Sequence, residues 1–437
     1  MSQNEDLVLS RTERRRAATA SLVGTAIEWY DYFLYGTAAA LIFPQLFFPQ
    51  SSDYIGTLEA FATFFLGFAA RPVGGAIFGH FGDRIGRKAT LIVTLLLMGI
   101  SSALIGILPT YDSIGVWAPT ILIILRILQG IGVGGEWGGS VLLSMESGRG
   151  DRRGFMTSWP QLGVAIGLLV SSALVSLFLS WTGDSFNTWG WRIPFLLSLV
   201  LVGIGLFIRL KIEETPVFKK ILAKKQTDKA PVWAVIKKHP KEICLSALAR
   251  MAEQAPFYIF VSFVLAYGAG TLGMDRQFLV NGTLVASILS LFCVPFFGYL
   301  SDRIGRKKMY LIGAACTLIW AFPYYGILNT AIPALVFLAI VISLIPHDMM
   351  YGPQAALIAE NFPAKLRYSG SSLGYQLASV IAGGPAPMIA AFLFHSFGSA
   401  YAISIYLVFN AVVTIIAVAF MKDRTKEDIN LDTDEAS

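Results

Sequence analysis

Charge is scarce in this sequence. Asp, Glu, Lys and Arg together make up 14% of its 437 residues, whereas roughly a quarter of the residues in a soluble domain are charged. A soluble protein of this length could not cover its surface with so few charges, so that class is excluded. Hydrophobic residues make up 55% of the chain. We therefore predict a protein that crosses a lipid bilayer many times.

Cysteine and histidine are also rare, with three and four residues respectively. Cys244, Cys293 and Cys316 lie in or beside apolar stretches and show no metal-ligand spacing, so we expect packing residues and no metal. The sequence shows no Ser/His/Asp arrangement. The glycine run 130–135 follows no predicted strand, which argues against a phosphate-binding loop. We expect neither an enzyme nor a bound cofactor.

Apolar runs and their breaks predict an all-α membrane fold. A helix needs about 20 mainly apolar residues to cross the hydrocarbon core. Twelve segments meet this requirement. They are residues 19–43, 55–80, 88–108, 115–147, 154–181, 189–211, 241–270, 277–301, 308–328, 331–360, 368–395 and 400–421.

The longest polar interruption divides these segments into two groups of six. The predicted parts are an N-terminal tail at 1–18, an N-terminal half at 19–211, a linker at 212–240, a C-terminal half at 241–421 and a C-terminal tail at 422–437. Phe218 and Trp233 indicate short interfacial helices in the linker. The short N-terminal tail leaves no room for an added sensor domain.

Lys and Arg concentrate in alternate loops. They occur at residues 14–16, 84–88, 149–153, 212–240, 303–308, 365–367 and 422–424, while the opposite loops hold little beyond Arg192 and Arg276. Loops rich in Lys and Arg stay in the cytoplasm, so we predict that both tails and the linker are cytoplasmic. The net charge of +6 has this origin, and no nucleic-acid partner is expected.

One loop occurs twice. The segment from Gly79 to Lys88 carries Asp83, Arg84, Gly86 and Arg87, and the same residue types recur 219 positions later, from Gly298 to Lys307. A second pair of positions, Glu146 with Arg153 and Glu360 with Arg367, is displaced by 214. Chance recurrence at matching places is very improbable. The sequence therefore predicts two repeated halves in parallel orientation.

The doubled loop resembles the signature of the major facilitator superfamily. Further stretches resemble its metabolite:proton symporter branch, and within it bacterial shikimate permeases. They are residues 28–36, 71–75, 126–139, 189–195, 250–253, 347–349 and 367–379.

This resemblance implies a symporter of the bacterial inner membrane that acts as a functional monomer. It would import a small organic acid, shikimate or a similar hydroxylated carboxylate, with protons as the coupling ion. The two halves would rock about a site in the middle of the membrane. Alternatives are 2-oxoglutarate or citrate, a zwitterion such as proline or betaine, and a membrane sensor that does not transport.

Ionisable residues inside the spans are candidates for proton coupling, because a charge at the bilayer centre costs about 2.5–3.5 kcal/mol. Glu28 and Asp31 share a face of the first segment, where repulsion and burial favour a bound proton. The alternative is a fixed ion pair with Arg126 or Arg71. Related sugar:proton symporters pair such an aspartate with an arginine of the fourth segment, so the resemblance implies an Asp31–Arg126 pair.

The fourth segment carries further candidates. Arg126 shares one sector with Gln129 and Glu136, and Glu136 is a fourth proton-coupling candidate. Gly130, Gly134 and Gly138 recur every four residues, a spacing that lets membrane helices approach closely.

Substrate-binding candidates come from both halves. Arginine offers a permanent positive charge to a carboxylate, and the neutral polar residues would bind hydroxyls. The set is Arg71, Arg126, Arg250, Glu253, Gln161, Tyr35, Tyr258, His347, Asp348, Tyr375 and Gln376. Packing roles remain open: an ion pair between helices for Arg71, and a satisfied core residue for His347.

The doubled loops and their partners are gating candidates, because loops at the cytoplasmic side cannot reach a substrate at the midplane. They are Asp83, Arg84, Arg87, Glu146, Arg153, Asp302, Arg303, Arg306, Glu360 and Arg367. The two aspartates would bond to facing helix ends or to Arg153 and Arg367, and so close the cytoplasmic side.

The predicted topology can be tested by labelling. In a background where the three native cysteines are serine, Lys224→Cys and Ser399→Cys should react with a membrane-impermeant thiol reagent from opposite faces. Intact cells and inverted vesicles provide the two faces. Reaction of both from one face would contradict the two-half topology.

Overall fold

The structure, a computed structural model, describes residues 11–85, 87–134, 145, 152–210, 231–363 and 366–427. Within these ranges the chain forms helices and no β-strand. The long helices are α1 Arg11–Leu41, α2 Asp53–Ala69 with Arg71–Ile85, α3 Arg87–Ile107, α4 Trp117–Val133, α5 Arg153–Thr182, α6 Arg192–Leu210, α7 Pro240–Ala249 with Met251–Tyr258, Ile259–Phe263 and Val264–Gly270, α8 Arg276–Ile304, α9 Arg306–Leu328, α10 Pro333–Ile342 with Leu344–Ala359, α11 Arg367–Ala378 with Ser379–Gly383 and Ala386–Phe397, and α12 Tyr401–Phe420.

The all-helical fold is confirmed, and each predicted segment overlaps one of these helices. Among the described residues, seven helices are long and apolar enough to cross a membrane, and three shorter ones are apolar. Twelve crossings stay a prediction. Helix α1 begins at Arg11 rather than at 19, because the Arg, Glu and Ala residues before the apolar run favour a helix. Trp233 lies in the short helix Pro231–Lys238, and Phe218 lies outside the described residues.

The helices pack in two groups that follow the chain. Helix α1 packs on α5 and α6, and α3 packs on α4 and α6, whereas α7 packs on α11 and α12, and α9 packs on α10 and α12. The groups meet where α5 contacts α8 and α10, where α2 contacts α11, and where α1 contacts α7. Any movement of one group against the other must break these contacts.

Glycines bring α2 and α4 into close backbone contact, as the stripe in the fourth segment predicts. A Cβ atom on Gly130 would collide with the carbonyl oxygen of Gly67, and one on Gly134 with that of Arg71. The contact is reciprocal, since a Cβ on Gly74 would collide with the Ile131 carbonyl. Gly138 lies outside the described residues. No residue larger than glycine fits at these crossings without separating the helices.

The glycine of the repeated loop separates two helices. Gly305 ends α8 and precedes α9 with a φ of 101°, a backbone conformation that residues with a Cβ rarely adopt. The matching Gly86 of the first loop lies outside the described residues.

Ion pairs join the two groups at the end predicted to face the cytoplasm. Arg153 lies on α5, and Glu360 directly follows α10. The Arg153 Nε atom lies 3.0 Å from Glu360 Oε1. Arg306 Nη2 lies 3.3 Å from the same oxygen and 3.0 Å from Asp302 Oδ1. The backbone N–H groups of Gly154 and Phe155 donate to Asp302 at 2.8 and 2.9 Å. Asp302 thus caps the N-terminus of α5, where a negative charge is favoured.

Not all the gating candidates join this cluster. Arg303 is exposed, and its Cζ lies 4.6 Å from the Tyr299 ring centroid. Arg367 donates to the Ala359 and Phe362 carbonyls, so it binds the loop before α11 rather than Asp302. The side chains of Asp83, Arg84, Arg87 and Glu146 lie outside the described residues.

The segment after α12 also contacts both groups. Arg153 Nη2 donates to the carbonyl oxygens of Arg424, Thr425 and Glu427 at 3.0–3.1 Å. The Arg306 backbone N–H donates to the Thr425 hydroxyl at 3.0 Å. Residues 424–427 therefore extend across the ion-pair cluster.

The opposite end is closed by hydrogen bonds and an aromatic stack rather than by ion pairs between the described residues. Arg276 donates to Asn187 at 2.9 Å, and Ser176 donates to Asn281 at 2.6 Å. The rings of Tyr54 and His395 stack with their centroids 3.6 Å apart. Each contact joins the N-terminal group to the C-terminal group. The structure is thus closed at both ends, with the buried polar residues between them.

Candidate functional site

The predicted site residues within the described chain are buried. These are Glu28, Asp31, Arg71, Arg126, Gln161, Arg250, Glu253, His347, Asp348 and Gln376, together with Tyr35, Tyr258 and Tyr375. Glu136 lies outside the described residues. The residues on α1, α2 and α4 form the N-terminal cluster, and those on α7, α10 and α11 form the C-terminal cluster. Gln161 lies on α5.

Two arginines of the N-terminal cluster share one aromatic ring. The guanidinium carbons of Arg71 and Arg126 lie 4.2 and 4.1 Å from the centroid of the Tyr32 ring. Arg71 Nε donates to the Tyr32 hydroxyl at 3.2 Å. Phe68 and Tyr35 each cover one further guanidinium face at 4.1 Å. Aromatic faces stabilise such cations, but they supply no hydrogen-bond acceptors.

Neither guanidinium has a carboxylate partner among the residues that the structure describes. Within the described chain no Asp or Glu oxygen lies within 4.0 Å of Arg71 or Arg126. Arg71 Nη2 and Arg126 Nε and Nη2 donate no hydrogen bond there either. Buried charges are normally paired because isolated burial is costly. Two unpaired cations around one ring form a site suited to an anion.

Gly67 holds this arrangement together. Its carbonyl oxygen accepts the Tyr32 hydroxyl at 2.9 Å, and a Cβ there would lie 2.5 Å from Arg126 Nε. The guanidinium therefore occupies the space that any larger side chain would fill. The close approach of α2 and α4 is what brings Arg126 to this position.

The C-terminal helices cover the same cluster. Tyr258 of α7 packs edge-on against Phe64 and Phe68, with ring centroids 5.7 and 5.1 Å apart. Tyr35 donates to Thr63 at 2.7 Å. Tyr258 therefore connects the aromatic wall of the N-terminal cluster to the other half.

Asp31 forms no direct ion pair with Arg126, so the pair implied by the resemblance is not made in this conformation. Ser198 donates to Asp31 Oδ1 at 2.5 Å. Arg126 Nη1 donates to the Gln129 carbonyl oxygen at 3.0 Å, and Gln129 Nε2 donates to the Ser102 hydroxyl at 2.6 Å. Ser102 in turn lies near the Asp31 carboxylate. A polar relay thus connects the two charges.

Arg250, the third predicted cation, is neutralised. Its Nε lies 3.1 Å from Glu253 Oε2, its Nη1 donates to the Tyr375 carbonyl at 2.6 Å, and its Cζ lies 3.5 Å from the Tyr375 ring centroid. Arg250 therefore differs from Arg71 and Arg126, because its charge is paired with a carboxylate of the protein. Only the last two carry uncompensated charge.

Glu253 is the centre of the C-terminal cluster. Besides Arg250, it accepts hydrogen bonds from Gln254 at 2.7 Å and Gln354 at 2.6 Å. His347 Nε2 lies 3.5 Å from its other oxygen, and His347 Nδ1 lies 2.9 Å from Asp348 Oδ1.

Two amides connect the halves near these clusters. Gln161 of α5 donates to Gln354 at 3.2 Å, and Gln376 of α11 donates to the Gly134 carbonyl at 3.3 Å. In this conformation both side chains bridge helices.

Several residues of the site were not predicted from the sequence. Tyr32 is one of 16 tyrosines, and only its position beside Asp31 marked it. Gln354 lies seven residues after His347, two turns along the same face of α10, so that spacing was a usable signal. Ser102 and Ser198 carry no sequence signal, because their role depends on how α3 and α6 pack on α1.

Known proteins similar to this chain are transporters. The family model of the Major Facilitator Superfamily matches residues 21–384 and 285–436. The shikimate transporter of Escherichia coli strain K12 is 44% identical over 95% of this chain and 96% of its own length. The proline/betaine transporter of the same strain is 33% identical over 97% of this chain and 86% of its own length.

Solved structures of similar fold agree with this family. The crystal structure of a D-xylose-proton symporter matches with a TM-score of 0.72 and 20% identity, and covers 94% of this chain and 98% of that one. At this identity the match establishes the fold and leaves the substrate open.

Gly67→Ala tests the packing of the cationic pair. The added methyl group must displace the Arg126 guanidinium, and such overpacking costs about 1–3 kcal/mol. We expect a lower melting temperature in detergent. Gly203→Ala is the matched control, since a Cβ on Gly203 of α6 meets nothing within 4 Å. Equal melting temperatures for the two variants would contradict this account of Gly67.

Proposed function

The chain belongs to the major facilitator superfamily, and from this premise we propose that it imports a small hydroxylated organic acid, shikimate or a close analogue, together with protons. It is a multi-pass transporter of the bacterial inner membrane and not an enzyme. The observation that carries the proposal is the buried, unpaired pair of Arg71 and Arg126 on the Tyr32 ring.

A carboxylate between these arginines would satisfy both. The unpaired nitrogens of Arg71 and Arg126 can donate charge-assisted hydrogen bonds, which are stronger than neutral ones. The substrate hydroxyls would then face the C-terminal helices, where the Tyr258 hydroxyl and the Gln254 side-chain carbonyl have no hydrogen-bond partner among the described residues. One side of the site is cationic, and the other side offers neutral polar groups. This combination favours a carboxylate that also carries hydroxyls.

The relatives support the same substrate class without deciding within it. A shikimate transporter is the relative reported above at 44% identity. Proline and betaine are the alternative suggested by the 33% relative. A betaine ammonium would need free aromatic faces, but here the guanidinium of Arg71 occupies those of Tyr32 and Phe68. Citrate and 2-oxoglutarate carry additional negative charge and remain the nearest competitors.

Transport would proceed by alternate opening of the two closed ends. Breaking the Arg153–Glu360 and Asp302–α5 contacts would open one side, and separating Arg276 from Asn187 would open the other. Substrate and protons would shift the populations of these states according to their relative affinities for them. A non-transporting sensor would not need two closures of this kind.

Asp31 is our choice for the coupling proton. The carboxylate is buried, and its Oδ2 accepts no hydrogen bond within the described chain. The relay through Ser102 and Gln129 connects it to Arg126, so substrate charge at Arg126 can influence whether Asp31 holds a proton. Carrying a monoanion inward against about 100 mV costs roughly 2.3 kcal/mol, which one co-transported proton cancels.

The anion site can be tested by binding. Arg126→Gln should weaken shikimate binding by about 2–5 kcal/mol, since a buried charge loses its partner. Arg126→Lys should restore little, because lysine lacks the planar fork. Arg192→Lys, at the start of α6 and outside the cluster, is the control. Calorimetry in detergent measures all four proteins. Equal affinity of the wild type for shikimate and its neutral methyl ester would rule out an anion site.

Coupling can be tested with Asp31→Asn, which preserves shape but cannot titrate. We expect this variant to lose uphill, acid-stimulated uptake in proteoliposomes while exchange of internal for external shikimate remains. Retained proton-driven accumulation would show that the coupling proton binds elsewhere.

A further inference from the structure

The C-terminal cluster contains a histidine between two carboxylates. His347 Nδ1 lies 2.9 Å from Asp348 Oδ1, and Nε2 lies 3.5 Å from Glu253 Oε1. A neutral imidazole carries a proton on only one of its nitrogens. Each ring nitrogen of His347 faces a carboxylate oxygen, which can only accept a hydrogen bond. The arrangement therefore favours the doubly protonated ring, in which both nitrogens donate.

The charges of the cluster balance only when the His347–Asp348 pair holds one proton more than a neutral histidine beside a carboxylate. Arg250 and Glu253 cancel each other, and Asp348 needs a second cation. Glu253 is held ionised by donors from Arg250, Gln254 and Gln354. Loss of the histidine proton would leave one uncompensated negative charge in a buried site, which is costly. That proton can thus be released only when the site opens to water or a donor rearranges.

The cluster faces the contact between the two halves. A cavity with room for about one water molecule is lined by His347, Asp348, Ser290 and Phe257 from the C-terminal half, and by Val164 and Leu168 of α5 from the N-terminal half. Asp348 Oδ2 accepts no hydrogen bond among the described residues. Separation of α5 from α8 and α10 would expose this oxygen to solvent.

We propose that His347 and Asp348, supported by Glu253, form a second proton-exchange site, so that two protons accompany each substrate monoanion. The inference rests on the proposed function, in which Asp31 carries the first proton and couples the substrate site to the protonation cycle, so that Asp31→Asn uncouples both protons from uptake. One site lies in each half. The cycle moves one net positive charge inward, and the membrane potential itself drives uptake.

Other groups around the pair do not replace it. On α7 the charged neighbours are Glu253 and Arg250, which form an ion pair. On α8, Ser290 faces Asp348 and the thiol of Cys293 lies near it. Helix α5 contributes Gln161, which is neutral, and α10 itself contributes Tyr351, stacked 5.0 Å from the His347 ring. His347 and Asp348 are therefore the groups at this cavity that can bind and release a proton.

The test separates voltage from pH as the driving force. In proteoliposomes with equal pH on both sides, a potential of about 60 mV, negative inside, should accumulate radiolabelled shikimate about tenfold in the wild type, since one net charge enters. Asp348→Asn leaves the cluster balanced with a neutral histidine. This variant should respond to a pH gradient but not to voltage. Gly203→Ala, where the added Cβ meets nothing within 4 Å and which lies outside both clusters, should behave as the wild type.

Wild-type uptake that ignores voltage would overturn the proposal, as would voltage-driven uptake by Asp348→Asn. Neither result would affect the anion site. Absence of any shikimate uptake would instead contradict the proposed function.

A readout independent of transport covers an inactive variant. With ¹⁵N-labelled histidine, of which the chain has four, wild-type His347 should show two protonated ring nitrogens at neutral pH in detergent. The signal is assigned by its loss in His347→Gln. Asp348→Asn should show one protonated nitrogen, and an unprotonated nitrogen in the wild type would overturn the proposal.

Discussion

The close contact of α2 with α4 is the constraint on which the site depends. Glycines at 67, 74, 130 and 134 let the two helices approach closely, so two arginines from adjacent helices can reach the same tyrosine ring. Like charges repel, and each guanidinium is buried. Aromatic faces and hydrogen bonds stabilise the pair in part, and an anion would complete it. Close packing at glycines thus brings two buried cations together, and an anionic ligand would stabilise them.

Hydropathy predicted the helices well because the bilayer forces backbone hydrogen bonds to be satisfied within each helix. The glycine stripe also predicted a close approach, since its cause is local. The ends of the helices were harder. The polar residues 11–18 at the start of α1 are helical without any apolar signal, and α10 breaks at Ser343 within a mainly apolar run.

Partners of the charged residues could not be predicted from spacing. Asp31 and Arg126 were expected to pair, yet each interacts with neutral groups that α3, α4 and α6 present. Arg250 and Glu253 do pair, and their separation of three residues on one face explains why that contact is local. Contacts within a helix follow from the sequence, whereas contacts between helices depend on rotations that the sequence pattern does not reveal.

The two groups of helices carry polar clusters of different chemistry. The N-terminal cluster holds two guanidinium groups without a carboxylate partner among the described residues, whereas the C-terminal cluster pairs its arginine with Glu253. In α7 and α11 the site residues are followed directly by π-helical turns at Ile259–Phe263 and Ser379–Gly383. Such turns often occur at functional sites, because their wider hydrogen-bonding pattern leaves the helix easier to rearrange. The polar residues of α7 and α11 therefore lie beside two turns of this kind.

The chain after α12 carries a practical consequence for anyone who produces this protein. Three carbonyl groups of residues 424–427 bind Arg153 of the other half, so this stretch belongs to the mechanical connection between the halves. A bulky fluorescent protein or affinity tag joined immediately after residue 427 would strain these hydrogen bonds to Arg153. A fusion at the other end of the chain would avoid this load.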